Sequence, residues 1–130
     1  MDCNLIKKRL ITYIKEGNKK FIIYPYGENG VYVKNILHDY FNISPRLIVD
    51  NTYCQYNPNI ISFEQLKKEI QEDDYILLTI ENDAINEEMQ KDIERIHDKN
   101  KIINLLDDVK EAHRQEIRKL FESEILQLLN

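Results

Sequence analysis

Short, solidly apolar runs recur along this chain, and the stretches between them carry apolar residues at helical spacing. Phe21-Ile22-Ile23-Tyr24 is the first run, Leu47-Ile48-Val49 within residues 46–50 the second, and Ile60-Ile61 a brief third. The fourth spans Tyr75 to Ile80 and the fifth Lys101 to Leu105. A strand without polar alternation is covered on both faces, and strands separated by helices pair in parallel. The expected class is therefore α/β: a Rossmann-like, doubly wound parallel sheet of about five strands with helices on both faces. Right-handed crossovers favour the order 3-2-1-4-5, with a flavodoxin-like order as the rival, and place a ligand crevice at the carboxyl ends of the first and fourth strands.

The helical segments have recognisable ends. Residues 2–16 carry Ile6, Leu10 and Ile14 on one stripe, with Asp2 as the expected N-cap and Gly17 as the stop. A second helix runs from Asn29 to Phe41; Ser62-x-x-Gln65 opens a third; Asn82 or Asp83 caps a fourth through Ile85, Met89, Ile93 and Ile96. A final helix is expected from Asp108, with Glu111 completing a capping signature and Ile117, Leu120, Phe121, Ile125 and Leu128 on one stripe. That stripe is expected to close one face of the sheet, the alternative being a partner or self-association surface. Residues 1–130 thus read as one domain: a lead-in helix at 2–16, a core at 18–106 and a last helix at 108–129.

Composition narrows the function. With 130 residues, 42% hydrophobic content and 32% charge, the chain has the apolar surface to fold around one core. A formal charge of −5 disfavours nucleic acid as a partner. No apolar run approaches the roughly 18 residues of a membrane span, and the opening Met-Asp-Cys-Asn-Leu-Ile-Lys-Lys-Arg does not read as a secretion signal. Cys3 and Cys54 stand far apart with no histidine cluster, so neither a metal site nor a disulfide framework is legible and a reducing cytoplasm is the expected location.

The informative segment follows the first strand: Pro25-Tyr26-Gly27-Glu28-Asn29-Gly30. In the dinucleotide fingerprint G-x-G-x-x-G, the second glycine lets backbone approach a pyrophosphate and the third lets the helix pack closely on the strand. Both are present as Gly27 and Gly30, while Pro25 replaces the first and Tyr26 and Glu28 add bulk and charge beside the presumed phosphate path. The helix that follows offers amide hydrogens and a positive dipole end to an anion. The bland alternative is a close strand-to-helix turn with no ligand.

Asp50 ends the second strand twenty residues after Gly30, where a carboxylate can accept hydrogen bonds from a ribose diol. A 2′-phosphate would be repelled there, so NAD or a nucleotide-sugar is the better candidate than NADP. The alternative for Asp50-Asn51 is an Asx turn at a strand end. Thr79, with Glu81 and Asn82, stands across the same crevice, as ligand contacts or as helix caps.

Phe21-Ile-Ile-Tyr-Pro-Tyr-Gly-Glu-Asn-Gly30, Leu47-Ile-Val-Asp-Asn51, Ile60-Ile-Ser-Phe-Glu-Gln-Leu66 and Asp74-Tyr-Ile-Leu-Leu-Thr79 together resemble the small Rossmann-like domain of bacterial surface-glycan enzymes. Such domains form the nucleotide-sugar-binding N-terminal part of sugar acyltransferases and occur beside methyltransferases and glycosyltransferases of capsule and lipopolysaccharide pathways. The resemblance covers roughly residues 18–106. It implies a nucleotide-binding module for polysaccharide biosynthesis that serves a catalytic partner domain; a homodimer is the other expected association, from the apolar stripe of the last helix. By position it implies that Gly27, Glu28, Asn29 and Gly30 line the phosphate turn and that Asp50 and Asn51 take the ribose or uridine side; Pro25 and Tyr26, where the family has glycine and often a small residue, complete the expected binding turn, and Thr79 is expected across the crevice from it.

No reaction is assigned. His38, His97 and His113 fall in expected helices and read as surface or partly packed side chains. Glu72-Asp73-Asp74 and Asp107-Asp108 lie at helix boundaries, where capping explains them. The alternative function is a ligand-free, degenerate Rossmann-like domain acting in protein interaction or oligomerisation.

Overall fold

In the computed structural model, which describes residues 3–18 and 20–129, four of the apolar runs pair as a wholly parallel sheet. The order along the chain is α1 (Asn4–Lys15), β1 (Phe21–Tyr24), α2 (Glu28–Phe41), β2 (Leu47–Ile48), α3 (Phe63–Glu69), β3 (Tyr75–Leu78), α4 (Asp83–Glu94), β4 (Ile102–Asn104) and α5 (Leu106–Leu129). The sheet order is β2-β1-β3-β4. The expected five strands are therefore four. Ile60-Ile61 does not form a strand; Ile61 makes one parallel bridge to Val49 on the outer side of β2. Two residues between a polar loop and the Ser62 cap leave no length for a ladder. Without that strand the expected 3-2-1-4-5 becomes 2-1-3-4, which is also how the flavodoxin-like alternative begins.

Strand residues alternate between two cores, as a period of two requires. Phe21 and Ile23 of β1, with Leu77 and Ile103, pack against Ile6 and Leu10 of α1, Val33, Ile36 and Leu37 of α2, and Val109 of α5. Ile22 and Tyr24 face the other way with Ile76 and Leu78, against Leu66 of α3 and Ile93 of α4. Helices thus cover both faces. At the helix ends, Ser62 Oγ accepts from the Gln65 amide at 3.1 Å and Asn82 Oδ1 from the Ile85 amide at 3.0 Å. Gly17 ends α1 at φ 93, and Asn42 ends α2 in the left-handed region at φ 53. Asp2, the expected cap of α1, lies outside the described residues.

The last helix departs from expectation twice. It begins at Leu106, so Asp107 and Asp108 occupy its first turn and the Asn104 side chain, not Asp108, accepts the Leu106 amide at 3.1 Å. Only Val109 and Ala112 are buried, and every residue from Ile117 to Leu129 is exposed. Continuing the buried face by one heptad lands on Glu116 and Lys119, so the stripe that meets the body turns polar and the helix leaves it. Among the described residues no helix is long and apolar enough to cross a membrane.

Tyr24, at the end of β1, is 4% exposed and stacks on Phe63 with ring centroids 5.4 Å apart. Burial, aided by Asp92 and Asp50, pushes its phenol up to about 12. Above pH 10 the unfolded chain releases this proton while the folded chain keeps it, so stability falls as pH rises from 10 towards 12. The loss is on the order of 2 kcal/mol. Urea midpoints measured at pH 9 and 11.5 should show this fall, and Tyr24→Phe should flatten it.

Candidate functional site

At the carboxyl ends of β1 and β3, Pro25, Gly27, Glu28, Asn29, Gly30, Thr79, Ile80, Glu81 and His113 enclose a cleft of about 190 Å³. It sits where the chain, having run from β1 outward to β2, returns to the other side of β1 as β3. In open α/β sheets this reversal is where ligands bind, because the two neighbouring loops diverge there.

The loop between β1 and α2 is held from both sides. The Tyr24–Pro25 peptide is cis. On the β3 side, the Thr79 amide donates to the Tyr24 carbonyl at 3.0 Å and Thr79 Oγ1 to the Pro25 carbonyl at 2.9 Å. On the β2 side, Asp50 Oδ2 accepts from the Tyr26 amide at 3.0 Å, while its Oδ1 accepts from the amides of Thr52 and Tyr53 at 2.8 and 2.9 Å. The loop geometry is set by these bonds before any ligand arrives.

The two loop glycines have different reasons to be glycine. A Cβ on Gly30 would stand 2.5 Å from the Pro25 carbonyl oxygen and 3.3 Å from Ile23 Cγ2, so close packing of α2 on β1 requires its absence. A Cβ on Gly27 would meet nothing within 4 Å, and its backbone, at φ −95 and ψ −158, suits any residue. Packing does not demand a glycine there. Gly27 is the N-cap of α2, no side chain caps the helix, and its bareness leaves the first turn open to the cleft.

Of the nine residues expected at the site, six line this cleft: Pro25, Gly27, Glu28, Asn29, Gly30 and Thr79. Tyr26, Asp50 and Asn51 lie outside its lining. Tyr26 packs edge-on against Tyr53 at 6.4 Å, and Asn51 Oδ1 accepts the Phe63 amide at 2.8 Å beside the start of α3. Asp50 is 8% exposed and spends three acceptor positions on backbone amides, the Asx-turn arrangement extended to the neighbouring loop.

Besides the apolar Ile80, His113 is the lining residue that sequence spacing missed. It comes from α5, its Nε2 lying 3.3 Å from Asn29 Oδ1 and 3.6 Å from Glu81 Oε2, while Asn29 Nδ2 donates to the Thr79 carbonyl at 3.3 Å. A polar chain thus links α5, the first turn of α2 and the end of β3. Nothing local in the sequence signals a contact across 84 positions. His38 is exposed on α2, and His97 lies beyond α4 rather than within it, its Nε2 donating to the Asp74 carbonyl at 2.7 Å. Chemically the cleft offers amide hydrogens to an anion, with the His113 imidazole and the carboxylates of Glu28 and Glu81 as partners for hydroxyl or amino groups. Among the described residues, no group of three or more His, Cys, Asp or Glu is placed to hold a metal ion. Comparison with protein-family models, with curated proteins and with solved structures returns no match for this chain.

Proposed function

We propose that the chain is a binding module for a nucleotide or nucleotide-sugar, with the phosphate seated at the first turn of α2. The observation that carries this reading is Gly27, a glycine that neither packing nor backbone conformation requires, standing at an uncapped helix N-terminus in a cleft at the sheet's reversal point. The cleft's volume suits a phosphate with part of a sugar, and Glu28 and Glu81 suit sugar hydroxyls. Asp50 acts here as a positioning residue for the loop. The place of the module in bacterial surface-polysaccharide biosynthesis, in the cytoplasm, rests on the resemblance of the segments quoted above.

Gly27→Asp tests this without risking the fold. Aspartate is a better N-cap than glycine, so the variant should melt at or slightly above the parent temperature, while its carboxylate occupies the anion's place. The parent is to be melted with millimolar NAD, NADP, UDP- and GDP-sugars, CMP, S-adenosylmethionine and coenzyme A. A ligand at 100 times its Kd adds about 2.7 kcal/mol, a rise on the order of 5–10 °C. A selective rise with a nucleotide-sugar, lost in Gly27→Asp, supports the assignment; an unmoved melting temperature across the panel removes it. That second result would favour the ligand-free interaction domain, to which the two rim carboxylates already lend some weight by opposing an anion.

A further inference from the structure

We propose that the part of α5 beyond Glu116 is a dimerisation arm that pairs, antiparallel, with the same arm of a second copy of this chain. The inference does not depend on the ligand reading. Ile117, Leu120, Phe121, Leu126, Leu128 and Leu129 are each exposed by 61% or more, and Ile125 by 40%, on one uninterrupted helix. Thirteen consecutive exposed helical residues extend about 20 Å.

Two observations select a second copy as the occupant. The first is charge. Arg118 and Lys119 precede Leu120-Phe121 and Glu122 and Glu124 follow it, so the arm is basic just before Phe121 and acidic just after it. Antiparallel pairing lays each basic half on the partner's acidic half, and opposes the two helix dipoles; parallel pairing sets like halves together. The second is shape. A two-fold axis at Phe121 stacks Ile117 on the partner's Ile125, sets the two Phe121 rings side by side, and brings Arg118 towards the partner's Glu122 and Glu124, twice by symmetry. The same alignment carries the partner's Leu128 to the groove of about 290 Å³ between α2 and α5, where Val31, Tyr32 and His113 are among the lining residues. The apolar stripe presents on the order of 600 Å² per copy, so a pair that covered it fully would bury about 1,200 Å², which reaches the lower bound for a specific interface.

Sedimentation equilibrium of the full chain under reducing conditions, from about 1 to 300 µM, should show a monomer–dimer equilibrium. Phe121→Glu should raise the dissociation constant about a hundredfold, and Arg118→Glu about tenfold. The double variant Arg118→Glu, Glu122→Arg should recover part of that loss, because the pair between positions 118 and 122 is restored with reversed sign while Glu124 now faces a glutamate. All three changes lie on the exposed arm, so unchanged melting of dilute protein verifies that the fold is intact. A monomer at every concentration overturns the proposal, whether or not that monomer binds anionic vesicles. So does a dimer that persists in Phe121→Glu, which would place the contact elsewhere.

Discussion

Asp74→Ala is expected to destabilise the domain by about 3 kcal/mol and lower its melting temperature by roughly 10 °C. Asp74 is fully buried at the amino end of β3, and its carboxylate receives Nε of Arg46 at 2.7 Å, the Arg46 Nη2 group and the Gln71 amide at 2.8 Å. Arg46, just before β2, also donates to the Glu69 carbonyl at 3.0 Å. One ion pair thus joins the starts of two strands to the end of α3. Removing the carboxylate strands a guanidinium whose side chain is only 26% exposed, together with an orphaned amide, and that loss outweighs the attraction itself. The figure sits at the low end for buried pairs because water still reaches part of Arg46. Asp74→Asn, which keeps an acceptor for Gln71, should lose less. Since the pair lies at the opposite end of the strands from the cleft, whatever ligand shift the parent shows should survive in either variant; chemical denaturation with and without ligand separates the two effects.

Gly30→Val should cost about 3 kcal/mol, whereas Gly27→Ala should stay within about 0.5 kcal/mol. The contrast follows from what each Cβ would meet: the Pro25 carbonyl at 2.5 Å in one case and open space in the other. At Gly30 the obstacle is backbone, itself tied down by Thr79, so it cannot turn aside as a flexible side chain would. Relief requires α2 to lift from β1, which uncovers Val33 and Leu37 and distorts the cleft. Equal destabilisation by the two substitutions, measured by urea unfolding, would mean that close helix-on-strand packing is not what demands glycine at position 30.

The strands, the caps at Ser62 and Asn82 and the glycine turn were legible because each is written in residues close together in the chain. Period and capping chemistry act locally, and position after a first strand gave Pro25 and the run from Gly27 to Gly30 their place in the cleft. Ile60-Ile61 misled because two apolar residues satisfy the strand pattern without the length to pair. Asp74 read as a turn residue beside Asp73, and nothing nearby announced that Arg46, 28 positions earlier, would claim it. His113 was hidden for the same reason. The stripe of α5 was visible, but its phase against Val109 and Ala112, the only two residues that meet the core, decides which way it faces, and that phase has meaning only once the body is built.

The Asp50 carboxylate has a dynamic consequence. Because its two oxygens grip the Tyr26 amide on one loop and the Thr52 and Tyr53 amides on another, neither loop can open locally without breaking bonds that belong to both. Charge-assisted bonds of this kind contribute about 1.5–3 kcal/mol each. The turn after β1 and the segment after β2 therefore behave as one cooperative unit, rising and falling together in any partial unfolding of the native state. A glycine-bearing loop at the rim of a small domain would ordinarily fray on its own; here one acidic side chain ties its opening to that of a second loop.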